Sequence, residues 1–209
     1  SSLNNEALVN FVKGAAIECK RYNVVLLGGE TAEMPAVYVE GVTDLVGCII
    51  GYKAFDMCGP MVGDVLVGIP SNSPHTNGYS LIRKVTQDKN VPDVIKEALC
   101  APHIPYINEI ITFLKEFTHE EIHGMAHITG GGLIGNLKRV TKDLQINITF
   151  PQMPVWAQYL HEECGVSKEE MEKVFNCGIG YVLIVSKETY EKMMENVRYS
   201  YYFKVGELS

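Results

Sequence analysis

Apolar positions at Leu8, Phe11, Val12, Ala15, Ala16 and Cys19 recur at intervals of three and four, which predicts an amphipathic helix ending near Tyr22. Ser2 and Asn4 offer capping oxygens ahead of it, and Glu6 suits its first turn. The run Val24 to Leu27 lies between Asn23 and the Gly28-Gly29 pair and reads as a short buried strand. Residues 30 to 42 read as a loop, and Thr43 to Ala54 alternates well enough for a second strand. Gly59 and Pro60, within Phe55 to Val62, mark a seam, so two domains are expected, 1–56 and 57–209.

Beyond the seam, strands are expected at Asp64–Ile69, Ile122–Ile128, Leu144–Phe150, Ile179–Val185 and Tyr201–Val205. Helices are expected from Gly78 to Val85 and around Ile107, Ile110, Ile111 and Leu114, which share one face. Further helices are expected at Leu133–Val140, Pro154–Glu163, Lys168–Phe175 behind a Ser167-x-x-Glu170 capping box, and Lys187–Asn196. Such mixed strands and helices predict a layered α/β or α+β domain. No internal repeat or low-complexity tract interrupts it.

Composition narrows the class. With 209 residues and 46% hydrophobic content the chain can bury a sizeable core. A net charge of -7 and the absence of a Lys/Arg run argue against a nucleic-acid surface. Six cysteines without a Cys-x-x-Cys pair read as reduced thiols, and Cys177 as a core residue more readily than a nucleophile. Apolar stretches stop short of membrane-spanning length and no leader pattern opens the chain, so a cytoplasmic protein is expected.

Three loops carry chemistry. In Gly28-Gly29-Glu30-Thr31 the glycines permit a sharp turn, while Glu30 and Thr31 offer the hard oxygens that Mg²⁺ accepts beside nucleotide phosphates; Glu33 adds a second carboxylate. His75 and Asn77 lie in a polar loop ahead of Gly78 and a helix start, where free N–H groups suit an anion and an imidazole can donate or move a proton. Arg83 and Lys84 would add positive charge if they faced inward. Gly130, Gly131 and Gly132, between a strand and a helix, permit a nest of N–H groups around phosphate. Neither a dinucleotide fingerprint nor a Walker loop is present. His103, His119, His123 and His161 show no metal-ligand spacing on one element, and Trp156 with Tyr159 reads as core packing.

Four segments, in order, resemble a known family: Leu27 to Pro35, Gly63-Asp64-Val65-Leu66-Val67-Gly68 leading to His75–Val85, Ala126 to Gly132, and Phe175-Asn176-Cys177-Gly178-Ile179-Gly180. The family is phosphoribosylformylglycinamidine cyclo-ligase, and the likeness runs nearly the whole chain. It implies ATP- and Mg²⁺-dependent conversion of formylglycinamidine ribonucleotide to aminoimidazole ribonucleotide in purine biosynthesis by a cytoplasmic homodimer. It further implies that Glu30 helps hold Mg²⁺ with Thr31 beside it, that His75 and Asn77 face the reacting groups, and that Gly28, Gly29 and Gly130 to Gly132 meet phosphates.

Departures accompany the likeness. The family carries a further N-terminal stretch with an Asp-Gly-Val-Gly-Thr-Lys segment and an Asn-Asp pair, so this chain, which opens Ser1-Ser2 without Met, reads as the end of a nucleotide-binding first domain plus a complete second one. Ala101-Pro102-His103-Ile104 stands where Ala-Pro-Thr-Arg is usual, Gly135 where Glu is, and Lys138 where Pro is. Alternatives are a noncatalytic remnant and another superfamily member: formylglycinamidine synthetase, selenophosphate synthetase, thiamine-phosphate kinase or a hydrogenase maturation factor.

Overall fold

The computed structural model describes residues 5–34, 36–39, 41–53, 56–88 and 90–209. The chain divides into two units, residues 1–54 and 55–209. Ser2, Asn4, Pro35, Ala54 and Phe55, which figure in the expectations above, lie outside the described residues.

The first unit opens with α1 (Asn5–Arg21), whose first-turn Glu6 and last-turn Lys20 and Arg21 complement the helix dipole. None of its residues is buried. The expected strands at Val24–Leu27 and Thr43–Ala54 are not formed among the described residues. A strand satisfies its N–H and C=O groups only through a neighbouring strand, and these runs have none, so Leu27 (85% exposed) and Ile49 (83%) stand in solvent.

The second unit is built on five strands: β1 (Val65–Pro70), β2 (Ile122–His127), β3 (Ile146–Ile148), β4 (Ile179–Val185) and β5 (Phe203–Leu208). They form one sheet in the order β2-β4-β1-β5-β3, and every pairing is antiparallel. This settles the expected α/β or α+β layering as α+β, because no parallel crossover unit occurs among these pairs.

Helices α2 (Tyr79–Thr86), α3 (Asp93–Cys100), α4 (Ile107–Glu116), α5 (Gly132–Thr141), α6 (Val155–Glu162), α7 (Lys168–Val174) and α8 (Lys187–Glu195) complete the unit, with a 3₁₀ turn at Val197–Tyr199. The sequence pattern gives no expectation of α3. Only Ile95 and Leu99 of its eight residues are buried, too few for a period to show. Ser167 and Ser186 cap α7 and α8 by accepting the N–H of Glu170 and Thr189, both at 3.1 Å.

Strand β1 is apolar on both faces because both are covered. Val65, Val67 and Ile69 pack with Phe113 of α4, Met193 of α8 and Tyr199, while Leu66 packs with Leu133 and Leu137 of α5. A bulge between Ile122 and Gly124 shifts the register of β2, which puts Ile122 and Met125 on one face despite their odd spacing. A third cluster joins α2, α3, α6 and α7 around Leu99, Trp156 and Phe175. Each such large side chain, fully buried, contributes roughly 1.5–3 kcal/mol. At the mouth of β1, buried Asp64 accepts from Nδ1 of buried His123 at 2.8 Å and from the Met61 N–H at 2.7 Å.

Candidate functional site in the second unit

The loop between β1 and α2 carries His75 with φ +53, a left-handed conformation that costs a non-glycine residue of order 1–2 kcal/mol. Two anchors hold it. Nδ1 of His75 lies 2.7 Å from the carbonyl of Ile128, and the buried Asn176 donates from Nδ2 to the Ser73 carbonyl at 2.8 Å. The Gly178 carbonyl accepts the Ser71 N–H at 2.9 Å. The segment around Asn176 thus positions the His75 loop from beneath. Between them Cys177 is buried, its Sγ 3.4 Å from the Met171 carbonyl, and burial pushes its thiol up to about 12, which suits packing and not nucleophilic attack.

The turn after β2 brings the glycines alongside. Gly131 and Gly132 both take positive φ (97 and 62). A Cβ on Gly132 would fall 2.0 Å from the Glu172 carbonyl of α7, so glycine is required there by conformation and by space. Asn136, one turn into α5, reaches back and donates from Nδ2 toward the carbonyls of Thr129 (3.1 Å), Gly130 (3.3 Å) and Gly132 (2.7 Å). The turn also spends the Gly132 N–H on Thr129 O at 3.2 Å. Asn77 Oδ1 lies 3.0 Å from where a Cβ of Gly130 would stand, so the His75 loop and the glycine turn are direct neighbours.

Tyr106 completes the group. Its hydroxyl lies 3.1 Å from His75 Nε2 and 3.2 Å from the Pro70 carbonyl. It reaches both by crossing Gly180 of β4, where a Cβ would fall 1.6 Å from the hydroxyl oxygen. Beside it opens a cleft of about 400 Å³ lined by His103, Tyr106, Ile107, Ile110, His127 and Tyr181. The His127 and Tyr181 rings stack on its wall, 5.8 Å between centroids and 22° apart.

Electrostatically, burial favours the neutral form of His75 and His127. Burial pushes His75 down to about 4 against the opposing hydrogen bond to Ile128, and the neighbouring His103 and His127 push the same way. Burial, followed by His103, also lowers His127, and burial raises the Tyr106 hydroxyl.

Among the residues expected from sequence, His75, Asn77, Gly130, Gly131 and Gly132 come together. Gly28, Gly29, Glu30 and Thr31 belong to the first unit, where they lie exposed in irregular chain. Arg83 and Lys84 face solvent. The sequence pattern gives no expectation of Tyr106, Tyr181, His103 and His127 as site residues. His127 lies within a family-like segment and His103 where the chain departs from the family, whereas Tyr106 and Tyr181 carry no signal in their surroundings along the chain.

The donors also bear on Mg²⁺. Among the described residues, the grouping of His, Cys, Asp and Glu able to surround an ion is His75, His103 and His127. Three imidazoles do not fit a cation that demands oxygen ligands. The hard oxygens of Glu30, Thr31 and Glu33 are of the right kind, but two carboxylates and one hydroxyl do not make a complete set.

A helix-backed antiparallel sheet with this glycine turn defines the class: residues 61–208 match the family described as AIR synthase related protein, C-terminal domain, and the chain belongs to it. Its relatives are named phosphoribosylformylglycinamidine cyclo-ligase. That of Neisseria meningitidis serogroup B is 42% identical over 193 residues, covering 85% of this chain and 55% of the relative. That of Xanthomonas euvesicatoria is 44% identical over 192 residues (85% and 56%). The Vigna unguiculata protein, named as chloroplastic/mitochondrial, is 34% identical over 214 residues (94% and 54%). The chain spans about half the length of these relatives. No helix among the described residues is long and apolar enough to cross a membrane.

Proposed function

We propose that this chain contributes the second domain, and the end of the first, of an ATP-dependent cyclo-ligase that closes formylglycinamidine ribonucleotide to aminoimidazole ribonucleotide in the cytoplasm. The observation that carries the reading is the contact of the His75–Asn77 loop with the Gly130–Gly132 turn, in a chain whose relatives bear that enzyme's name. Phosphoryl transfer to the formyl oxygen converts it into a leaving group, and an internal nitrogen then displaces it as the ring closes. Holding both ends of one molecule together supplies much of the rate.

The chain's own residues divide the work. Asn77, half-buried beside Gly130, orients the reacting amide by hydrogen bonding. His75, locked by Ile128 O, sets the loop that presents Asn77 and directs Nε2 toward Tyr106. The exposed Gly131 and its neighbours leave backbone room for a substrate phosphate. Glu30 and Thr31, with Gly28 and Gly29, serve the nucleotide phosphates and Mg²⁺, joined by ligands beyond these 209 residues, and the assembly is a homodimer.

The test uses the full-length protein with formylglycinamidine ribonucleotide, ATP and Mg²⁺, following aminoimidazole ribonucleotide by colour after diazotisation. Asn77→Ala is expected to lower kcat at least 100-fold, about 2.7 kcal/mol of transition-state stabilisation, with an unchanged melting temperature. Unaltered turnover in Asn77→Ala, or product formed without ATP, rejects the proposal.

A further inference from the structure

The three histidines raise a separate question. His75, His103 and His127 come from three segments, yet each offers a nitrogen within 4.8 Å of the others'. The His75 ring centroid lies 4.4 Å from that of His103 and 5.2 Å from that of His127. Imidazoles packed this closely gain nothing in hydrogen bonding from one another unless something lies between them, and for buried His75 and half-buried His103 water makes up little of the loss.

Counting protons shows where lone pairs are surplus. With Nδ1–H of His75 donated to Ile128 O, Nε2 is the unprotonated nitrogen. The single Tyr106 proton is shared between two acceptors, Nε2 and Pro70 O, so neither is fully served. His103 Nε2 is buried with no hydrogen-bond partner. A backbone carbonyl fixing one imidazole nitrogen while the other faces a cluster is the arrangement that orients metal-binding histidines.

We propose that His75, His103 and His127 form a binding site for a divalent transition-metal cation of the Zn²⁺ class, with the fourth coordination position open to the cleft beside Tyr181. Three imidazoles and an open position suit Zn²⁺, which takes nitrogen ligands at about 2.0–2.1 Å. Ligand atoms around a tetrahedral ion at that bond length stand ~3.3 Å apart, so nitrogens that lie within 4.8 Å of one another draw closer on binding. Half-buried His103 and exposed His127 at the end of β2 supply that movement while His75 stays fixed. The Tyr106 hydroxyl then donates its hydrogen bond to the Pro70 carbonyl alone. At neutral pH no proton has to leave His75, whose ring is already neutral. This site stands whether or not the chain serves the cyclo-ligase reaction.

The experiment is titration of the metal-free 209-residue protein with Zn²⁺ by calorimetry at pH 7, and with Co²⁺ by visible absorption. The proposal expects one saturable equivalent, the intense visible band of tetrahedral Co²⁺, and no thiolate charge-transfer band from the six free cysteines. His103→Ala should weaken that equivalent at least tenfold, with metal-free melting unchanged, and His127→Asn should do the same. Tyr106→Phe, which removes the competitor for Nε2, should bind as tightly as the parent or more tightly. Equal affinity in His103→Ala and parent, a thiolate band on the saturating equivalent, or no saturable binding overturns the site. If His103→Ala does not fold, His127→Asn alone decides.

Discussion

Gly180 shows how far a single residue reaches. Without a side chain it lets Tyr106 cross β4 and place its hydroxyl against His75, and with one it cannot, because the Cβ would stand 1.6 Å from that oxygen. Gly180→Ala is therefore expected to destabilise by about 1–3 kcal/mol, as overpacking does, and to free the His75 ring. Urea unfolding measures the first effect and the imidazole NMR shifts of His75 the second. Burial of His75 sets a pH signature as well. Its folded value, about 4, lies below the ordinary 6.5, so the unfolded chain takes up the proton first as pH falls. Stability from the neutral ring is complete above about pH 6.5, is lost on going down to about 4, and changes no further below. His103, His127 and Tyr106 face the ring, and the metal-free protein should lose on the order of 2 kcal/mol more across that window than His75→Asn. Asparagine tolerates the left-handed backbone, and equal pH slopes by urea unfolding would refute the assignment.

At the scale of elements, the second unit was largely legible because its strands and helices have strong periods and clear caps. The expected Asp64–Ile69 and Ile179–Val185 strands appear as β1 and β4, and Ser167 caps α7 as its spacing to Glu170 indicates. Side-chain ties between elements were not legible. Asn136 gathers three carbonyls of the glycine turn, and nothing in its surroundings along the chain announces this. Asn136→Ala should cost about 1–3 kcal/mol, the desolvation of carbonyls left unserved, and Asn136→Asp should not restore it, since a carboxylate cannot donate. Likewise Asp64 and His123, buried at 4% and 5% side-chain exposure, join the edge of β1 to β2. Asp64→Ala should destabilise by about 3 kcal/mol or more in chemical denaturation, because it strands His123 and the Met61 N–H.

On the scale of the whole molecule, the two units differ in how their apolar residues are used. In the second, β1 and β4 at the middle of the sheet are covered on both faces and almost wholly buried. In the first, residues with strand-like patterning such as Val25, Val46 and Ile50 are exposed, and α1 buries none of its own. Backbone amides in 24–34 and 41–53 should accordingly exchange hydrogen orders of magnitude faster than those of β1 and β4, as mass-spectrometric exchange would show. Comparable protection in both regions of the isolated chain would mean that the first unit has found sheet partners.

What the sequence alone determined is local. Periodicity placed most elements of the second unit, glycines and prolines placed its turns, and the order of four segments indicated the family that residues 61–208 belong to. Tertiary structure decided the rest: an entirely antiparallel sheet, the neighbouring of Asn77 with Gly130, and the meeting of His75, His103 and His127 beside Tyr106. Patterning tells a segment which face to bury, but which segments then lie together depends on hydrogen bonds and packing between residues far apart in the chain. The first unit marks the same boundary from the other side, since among the described residues two runs patterned as strands have no strand to pair with and are irregular.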